Sequence, residues 1–131
     1  MTGEQARSSG DPQFLYDCYY LLPPPNHNYS LFVAEVELAR TTAFSSDLVK
    51  TLAKNTAVTG GSLQQVDGTV TAWNPHPMST GGGGRLTAIR KGATVFVTIT
   101  DEVRSDPLQS ALSTMRYAFS RVDAGVALPN G

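Results

Sequence analysis

Between Arg85 and Val122 the hydrophobic period of the chain switches from two to about 3.6, and few folds accommodate that switch. From Arg85 the residues alternate through Ile89, turn at Lys91 and Gly92, and return as Ala93 to Thr100, with Val95, Val97 and Ile99 on one face. β-Branched residues dominate both arms, which favours a pleated hairpin. Asp106 then stands as a helix N-cap, Pro107 suits the first helical position, and Gln109 completes a spacing like that of a capping box. Leu108, Ala111, Leu112, Met115, Phe119 and Val122 recur at steps of three and four, a single apolar stripe. Gly125 suits the left-handed closing position, with Val126 placed to fold back on the last turn. The expectation is that Leu108, Leu112, Met115 and Phe119 cover the face carrying Val95, Val97 and Ile99. Arg85, Arg90, Lys91 and a glycine-rich loop are then left as an exposed rim.

Upstream, Phe14 to Leu22 reads as a strand ended by Pro23, Pro24 and Pro25, which donate no backbone hydrogen bonds. Tyr29 to Leu38 alternates, with Phe32, Ala34, Val36 and Leu38 on one face and Glu35 and Glu37 on the other. A helix is expected from Ser46 to Ala57, capped by Ser45, with Asp47 in its first turn, Phe44 stapled onto Val49, and Gly60 and Gly61 ending it. Leu63 to Val66 and Thr69 to Trp73 flank Asp67-Gly68, which suits a two-residue hairpin turn; one strand with a glycine bulge is the competing reading. Asn74 to Gly84, with two prolines and four consecutive glycines, is expected to be a loop. This order lacks the repeated strand-helix-strand alternation of a parallel sheet. It predicts an α+β fold: one domain, an antiparallel sheet of about five strands covered by two helices. The domain is expected over residues 13–125, with a disordered N-terminal tail at 1–12 and a loose C-terminal tail at 126–131.

Charge narrows the partners. Ten Lys and Arg against eleven Asp and Glu give a net charge of -1, so no long-range field draws in nucleic acid or an anionic membrane. No apolar run approaches the roughly 18 to 20 residues of a membrane span. Met1 to Gly10 is polar and lacks the form of a signal peptide, so a cytoplasmic protein is expected, although a mature secreted fragment would read the same. Cys18 is the only cysteine, which excludes an intrachain disulfide.

The chemistry-bearing residues are scattered. Gly81 to Gly84 runs into a strand rather than a helix, and no Gly-Lys-Ser/Thr follows, so it reads as a flexible loop rather than a phosphate cradle. His27 and His76 lack metal-ligand spacing, and no cofactor is expected. Cys18 among Tyr16, Tyr19 and Tyr20 has no base to activate it and reads as a structural thiol. Glu35 and Glu37 stand about 7 Å apart on one strand face, a spacing that suits paired carboxylates but also any solvated strand. With His76 they form the candidate pocket. Arg85, Arg90 and Lys91 with Trp73 form the candidate interface. An aromatic platform with basic residues suits single-stranded nucleic acid, but the net charge and missing recognition motif favour a protein partner.

The run Leu31 to Leu38, the helix from Ser46, the segment Val66-Asp67-Gly68-Thr69-Val70-Thr71-Ala72, the hairpin Leu86 to Thr100 and the helix from Pro107 together resemble the PsbP-like α/β/α sandwich. That group includes photosystem extrinsic proteins, a Ran-binding import factor family and actinobacterial LpqN-type lipoproteins. The resemblance spans about residues 29 to 122, lacks the usual opening hairpin with its Pro-x-x-Trp segment and the lipobox cysteine, and carries no active site to transfer. It implies a non-catalytic domain that docks on larger assemblies. The residues and the resemblance thus converge on a non-enzymatic protein-binding or assembly module, with a protein partner or self-association. The alternatives are an enzyme or small-ligand carrier with the 74–84 loop as a lid, and a structural subunit of a viral or phage particle.

Overall fold

The computed structural model describes residues 2–3, 14–21, 31–75, 82–101 and 106–128. In chain order the elements are β1 (Thr2–Gly3), β2 (Phe14–Leu21), β3 (Leu31–Arg40), α1 (Ala43–Lys54), α2 (Thr56–Thr59), β4 (Ser62–Val66), β5 (Thr69–Pro75), β6 (Gly82–Arg90), β7 (Ala93–Asp101) and α3 (Pro107–Asp123). Among the described residues all seven strands join one antiparallel sheet in the order β1-β2-β3-β7-β6-β5-β4, where about five strands are expected from the sequence. One extra strand comes from the expected N-terminal tail, where Thr2 and Gly3 pair with Leu21 and Tyr20.

Two dipeptides set the late half of this sheet. Asp67 and Gly68 have φ of 47° and 81°, and Lys91 and Gly92 have 48° and 77°. Positive φ at both central residues gives a turn whose twist matches the flanking strands. Val66 therefore faces Thr69, and Arg90 faces Ala93, which rules out the single bulged strand at 67–68. Among the described strands the β3–β7 seam is the one pairing that does not join strands consecutive in the chain. It runs in unbroken register from Phe32↔Asp101 to Arg40↔Ala93 and joins the N-terminal strands to the four-strand meander.

Register decides what faces the core. Ala34, Val36 and Leu38 stand opposite Ile99, Val97 and Val95, which in turn face Gly84, Leu86 and Ala88 of β6. Across this face lies α3, capped as expected by the Asp106 carboxylate, which accepts from the Gln109 N–H at 3.2 Å, with Pro107 in its first turn. Ala111, Leu112, Met115, Ala118, Phe119 and Val122 of α3 are buried against the sheet, and Leu108 is partly so. The helix closes at Gly125, φ 82°, where the Val126 N–H donates back to the Arg121 carbonyl. Val126 and Leu128, expected in a loose tail, pack on the core.

Three expectations need correction. First, α1 starts at Ala43, because the Thr42 hydroxyl accepts from the Ser45 N–H at 3.0 Å while the Ser45 hydroxyl accepts from the Thr42 N–H at 2.8 Å. This reciprocal box moves the cap from Ser45 to Thr42, leaves Asp47 outside the first turn, and turns Phe44 out at 79 % exposure instead of stapling it onto Val49. Second, the expected single helix is two: α1 ends at Lys54, and α2 follows before Gly60 at φ 77°. Third, Asn74-Pro75 and Gly82 to Gly84 are strand, not loop. The Trp73 indole lies against Gly84, where a Cβ would sit 2.5 and 2.6 Å from its ring carbons, so the ring fills the face that glycine leaves bare.

Candidate functional site

The second face of the sheet is where the chain departs from a sealed sandwich. The helices on it, α1 and α2, pack on β5 and β6, and α1 fully buries none of its residues. Toward β7 and β3 that face carries polar side chains. The register aligns Asn74, Arg85, Thr98 and Glu35 in one row, and Ala72, Thr87, Phe96 and Glu37 in the next. Neighbouring strands lie about 4.8 Å apart, so each side chain in a row reaches its neighbour on the next strand. Glu35 and Glu37 are half-buried here and both have partners. His76, expected beside them, lies outside the described residues.

Two rows meet at a cleft. Between α1 and the sheet is a cavity of about 220 Å³ lined by Leu48, Leu52, Asn74, Arg85 and Thr87. Arg85 donates from Nε to Thr98 Oγ1 at 3.1 Å, and its guanidinium carbon stands 5.4 Å from the centre of the Phe96 ring. These two contacts hold the planar fork on the sheet surface. Asn74 is buried, with its Oδ1 accepting from Thr59 Oγ1 at 3.0 Å and its Nδ2 donating to the Leu52 carbonyl at 3.5 Å, so it ties both helices to β5. Thr87 has no exposed surface, and among the described residues its hydroxyl is the one buried side-chain polar atom without a hydrogen-bond partner. Thr94, also on this face, differs in being bonded to Thr41 Oγ1 at 3.0 Å and Ser45 Oγ at 3.1 Å.

The four residues of the expected interface do not share a surface. Trp73 is 6 % exposed and faces the α3 side, opposite Leu86. Arg90 is on that same side, at the far end of β6, and is fully engaged. It donates from Nε and one terminal nitrogen to the two Asp123 oxygens at 2.9 and 2.8 Å, and from the other to the Asp67 carbonyl and Thr69 Oγ1 at 3.0 and 2.8 Å. Its guanidinium also covers the Phe119 ring, 4.7 Å from the centroid. Lys91 reaches Asp123 at 3.2 Å and is otherwise exposed, while Arg85 faces the other side. The rim reading fails for Trp73 and Arg90 because the parity of β5 and β6 turns both toward α3.

Asp123 ends α3, where a carboxylate opposes the helix dipole. The hydrogen bonds from Arg90 hold it there and lower its pKa from 3.8 to about 2, with a smaller contribution from Lys91 and against partial desolvation. The same bond raises the pKa of Arg90. A carboxyl whose pKa is depressed by folding stabilises the fold above its unfolded value and withdraws that stability as pH falls. The window here runs from about pH 4 down to about 2. Asp123→Asn is expected to lower the thermal midpoint at neutral pH and to flatten its fall below pH 4. Equal acid slopes for the two proteins in a circular-dichroism melt series would refute the pairing.

The sequence pointed to Arg85 but not to Asn74, Thr87 or Leu52 as its neighbours. Thr87 sits between Leu86 and Ala88 at an alternating position, which reads as a solvated strand face; only the packing of α1 makes it interior. Among the described residues no three His, Cys, Asp or Glu side chains are grouped closely enough to hold a metal ion, and no helix is long and apolar enough to cross a membrane. Comparison with known protein families, with curated proteins and with solved structures finds no match for this chain.

Proposed function

We propose that the chain is a non-catalytic protein-binding module that docks through its β4 edge and the adjoining side of α1 and α2, with a second copy of itself as the simplest partner. One observation carries this reading. Of the six large exposed apolar side chains among the described residues, Phe44, Leu48, Val58, Leu63 and Val70 lie on α1, α2, β4 and β5, and only Tyr117 lies elsewhere. Leu63 and Val70 share the face that α1 occupies, since Leu63 stands opposite Ala72 and Val70 opposite Gln65. Exposed apolar groups collected on one side mark an association surface more often than scattered ones do.

The edge itself favours a strand as the docking element. β4 ends the sheet and reads Ser-Leu-Gln-Gln-Val, without the charge or proline that usually guards an edge. Val66 and Thr69 close a two-residue turn, so the alternation of an antiparallel ladder turns the N–H and C=O groups of Leu63 and Gln65 outward. An antiparallel two-fold pairing of β4 with its copy opposes no charges and continues the apolar side across the seam. The PsbP-like resemblance forms part of the same proposal, since it implies docking on an assembly rather than catalysis.

Light scattering during size exclusion tests this. The expected result is a dimer mass that rises with concentration, lost in Gln65→Pro, which removes an outward N–H without touching the β5 ladder. A strict monomer at the highest reachable concentration would sink the self-association.

A further inference from the structure

The α1 cleft shares Leu48 with the docking side but carries an inference of its own. A buried hydroxyl without a partner is costly, and in a folded protein it calls for a specific reason. Thr87 is fully buried, unpartnered, and lines a cavity whose one charged lining residue, among the described residues, is Arg85. None of the described lining residues is acidic. Glu35, the carboxylate on Arg85's row, stands two strands away beyond Thr98. Nε accounts for one of the five N–H donors of Arg85, and the guanidinium carbon stands 5.4 Å from the centre of the Phe96 ring. The opposite wall, Leu48 and Leu52 of α1, is apolar. A positive fork beside an unmet hydroxyl, facing two leucines, has the chemistry of a site for a short amphipathic anion.

We propose that this cleft binds a short linear monocarboxylate. Its carboxylate accepts from the Arg85 guanidinium and the Thr87 hydroxyl, and its alkyl chain lies along Leu48 and Leu52. The Asn74 amide, held to Leu52 by a bond of 3.5 Å, closes the end of the site. At about 220 Å³ the cleft is small beside ordinary ligand pockets, which favours a short chain such as that of a six-carbon acid. Because α1 fully buries none of its residues, it can yield to admit the chain without breaking the core beneath α3.

Sodium hexanoate and 1-hexanol, titrated into the isotopically labelled full chain, are the probes. Hexanoate is expected to give saturable amide shifts centred on Leu48, Leu52, Asn74 and Thr87, and hexanol to bind about tenfold more weakly or worse. Thr87→Val keeps the side-chain shape and removes the hydroxyl; it is expected to weaken hexanoate about tenfold while melting no lower than the parent. Arg85→Gln removes the charge and is expected to weaken it by at least as much. Shifts that do not saturate, hexanol binding as well as hexanoate, or undiminished binding in Thr87→Val each overturn the site. If Arg85→Gln does not fold, the hexanol comparison and Thr87→Val decide the matter by themselves.

Discussion

Replacing Phe119 by alanine should remove about 3 to 5 kcal/mol of folding stability, the largest loss expected from any single truncation in this chain. Among the described residues Phe119 is the largest of the fully buried side chains, has no exposed surface, and sits on the α3 stripe that seals the first face of the sheet. Truncation loses the transfer energy of the ring and opens a cavity that the rigid strands beneath cannot collapse to fill. It also strips the cover from Arg90, whose guanidinium lies 4.7 Å above the ring while its fork holds Asp123. Small domains have only about 5 to 15 kcal/mol in hand, so the variant should be close to unfolding at physiological temperature. Phe44→Ala provides the internal control. The residue type is the same, yet Phe44 is 79 % exposed, and the expected change is within about 0.5 kcal/mol. Urea unfolding of both variants measures the contrast, and a loss below about 1 kcal/mol for Phe119→Ala would show that α3 does not seal the core as described.

The second large effect concerns a residue with no side chain. Gly84→Ala puts a methyl group where the Trp73 indole lies, 2.5 and 2.6 Å from two ring carbons and 2.9 Å from the Asn74 carbonyl oxygen. The indole is itself packed in the core, so the conflict is expected to cost about 1 to 3 kcal/mol, against the usual gain from replacing glycine in a strand. A double-mutant cycle separates the causes. In a Trp73→Ala background most of that cost should disappear, giving a coupling of about 1 to 2 kcal/mol, while the Asn74 carbonyl keeps a remnant. Additive effects would mean that the glycine serves the backbone and not the ring.

Local chemistry was readable and tertiary parity was not. The Pro107 helix, its stripe and both two-residue turns are written within a few residues of one another, so the sequence predicts them closely. The start of α1 was harder, because Thr42 and Ser45 are both good caps three residues apart and only their reciprocal hydrogen bonds decide between them. Four glycines in a row signal a loop by composition. The indole that packs on Gly84, the last of them, comes from another strand and leaves no local trace. The same holds for the site residues. Val70, Ala72 and Trp73 give β5 apolar positions on both faces, so nothing in the sequence says which side Trp73 takes. Arg90 finds Asp123 at a distance in sequence that no helix or hairpin spacing encodes, and Thr87 becomes interior only when α1 arrives.

The β3–β7 seam imposes an order on events. Every pairing among β4, β5, β6 and β7 joins strands that follow each other along the chain, so that half can zip up by successive short closures. β3 cannot: Leu38 must wait for Val95, and Ala34 for Ile99, both made much later by a ribosome moving from the N-terminus. Through that interval β3 offers an apolar face to any strand that passes. Glu35 and Glu37, interleaved between Ala34, Val36 and Leu38, then act as gatekeepers, making a wrong partner costly until the right one is synthesised.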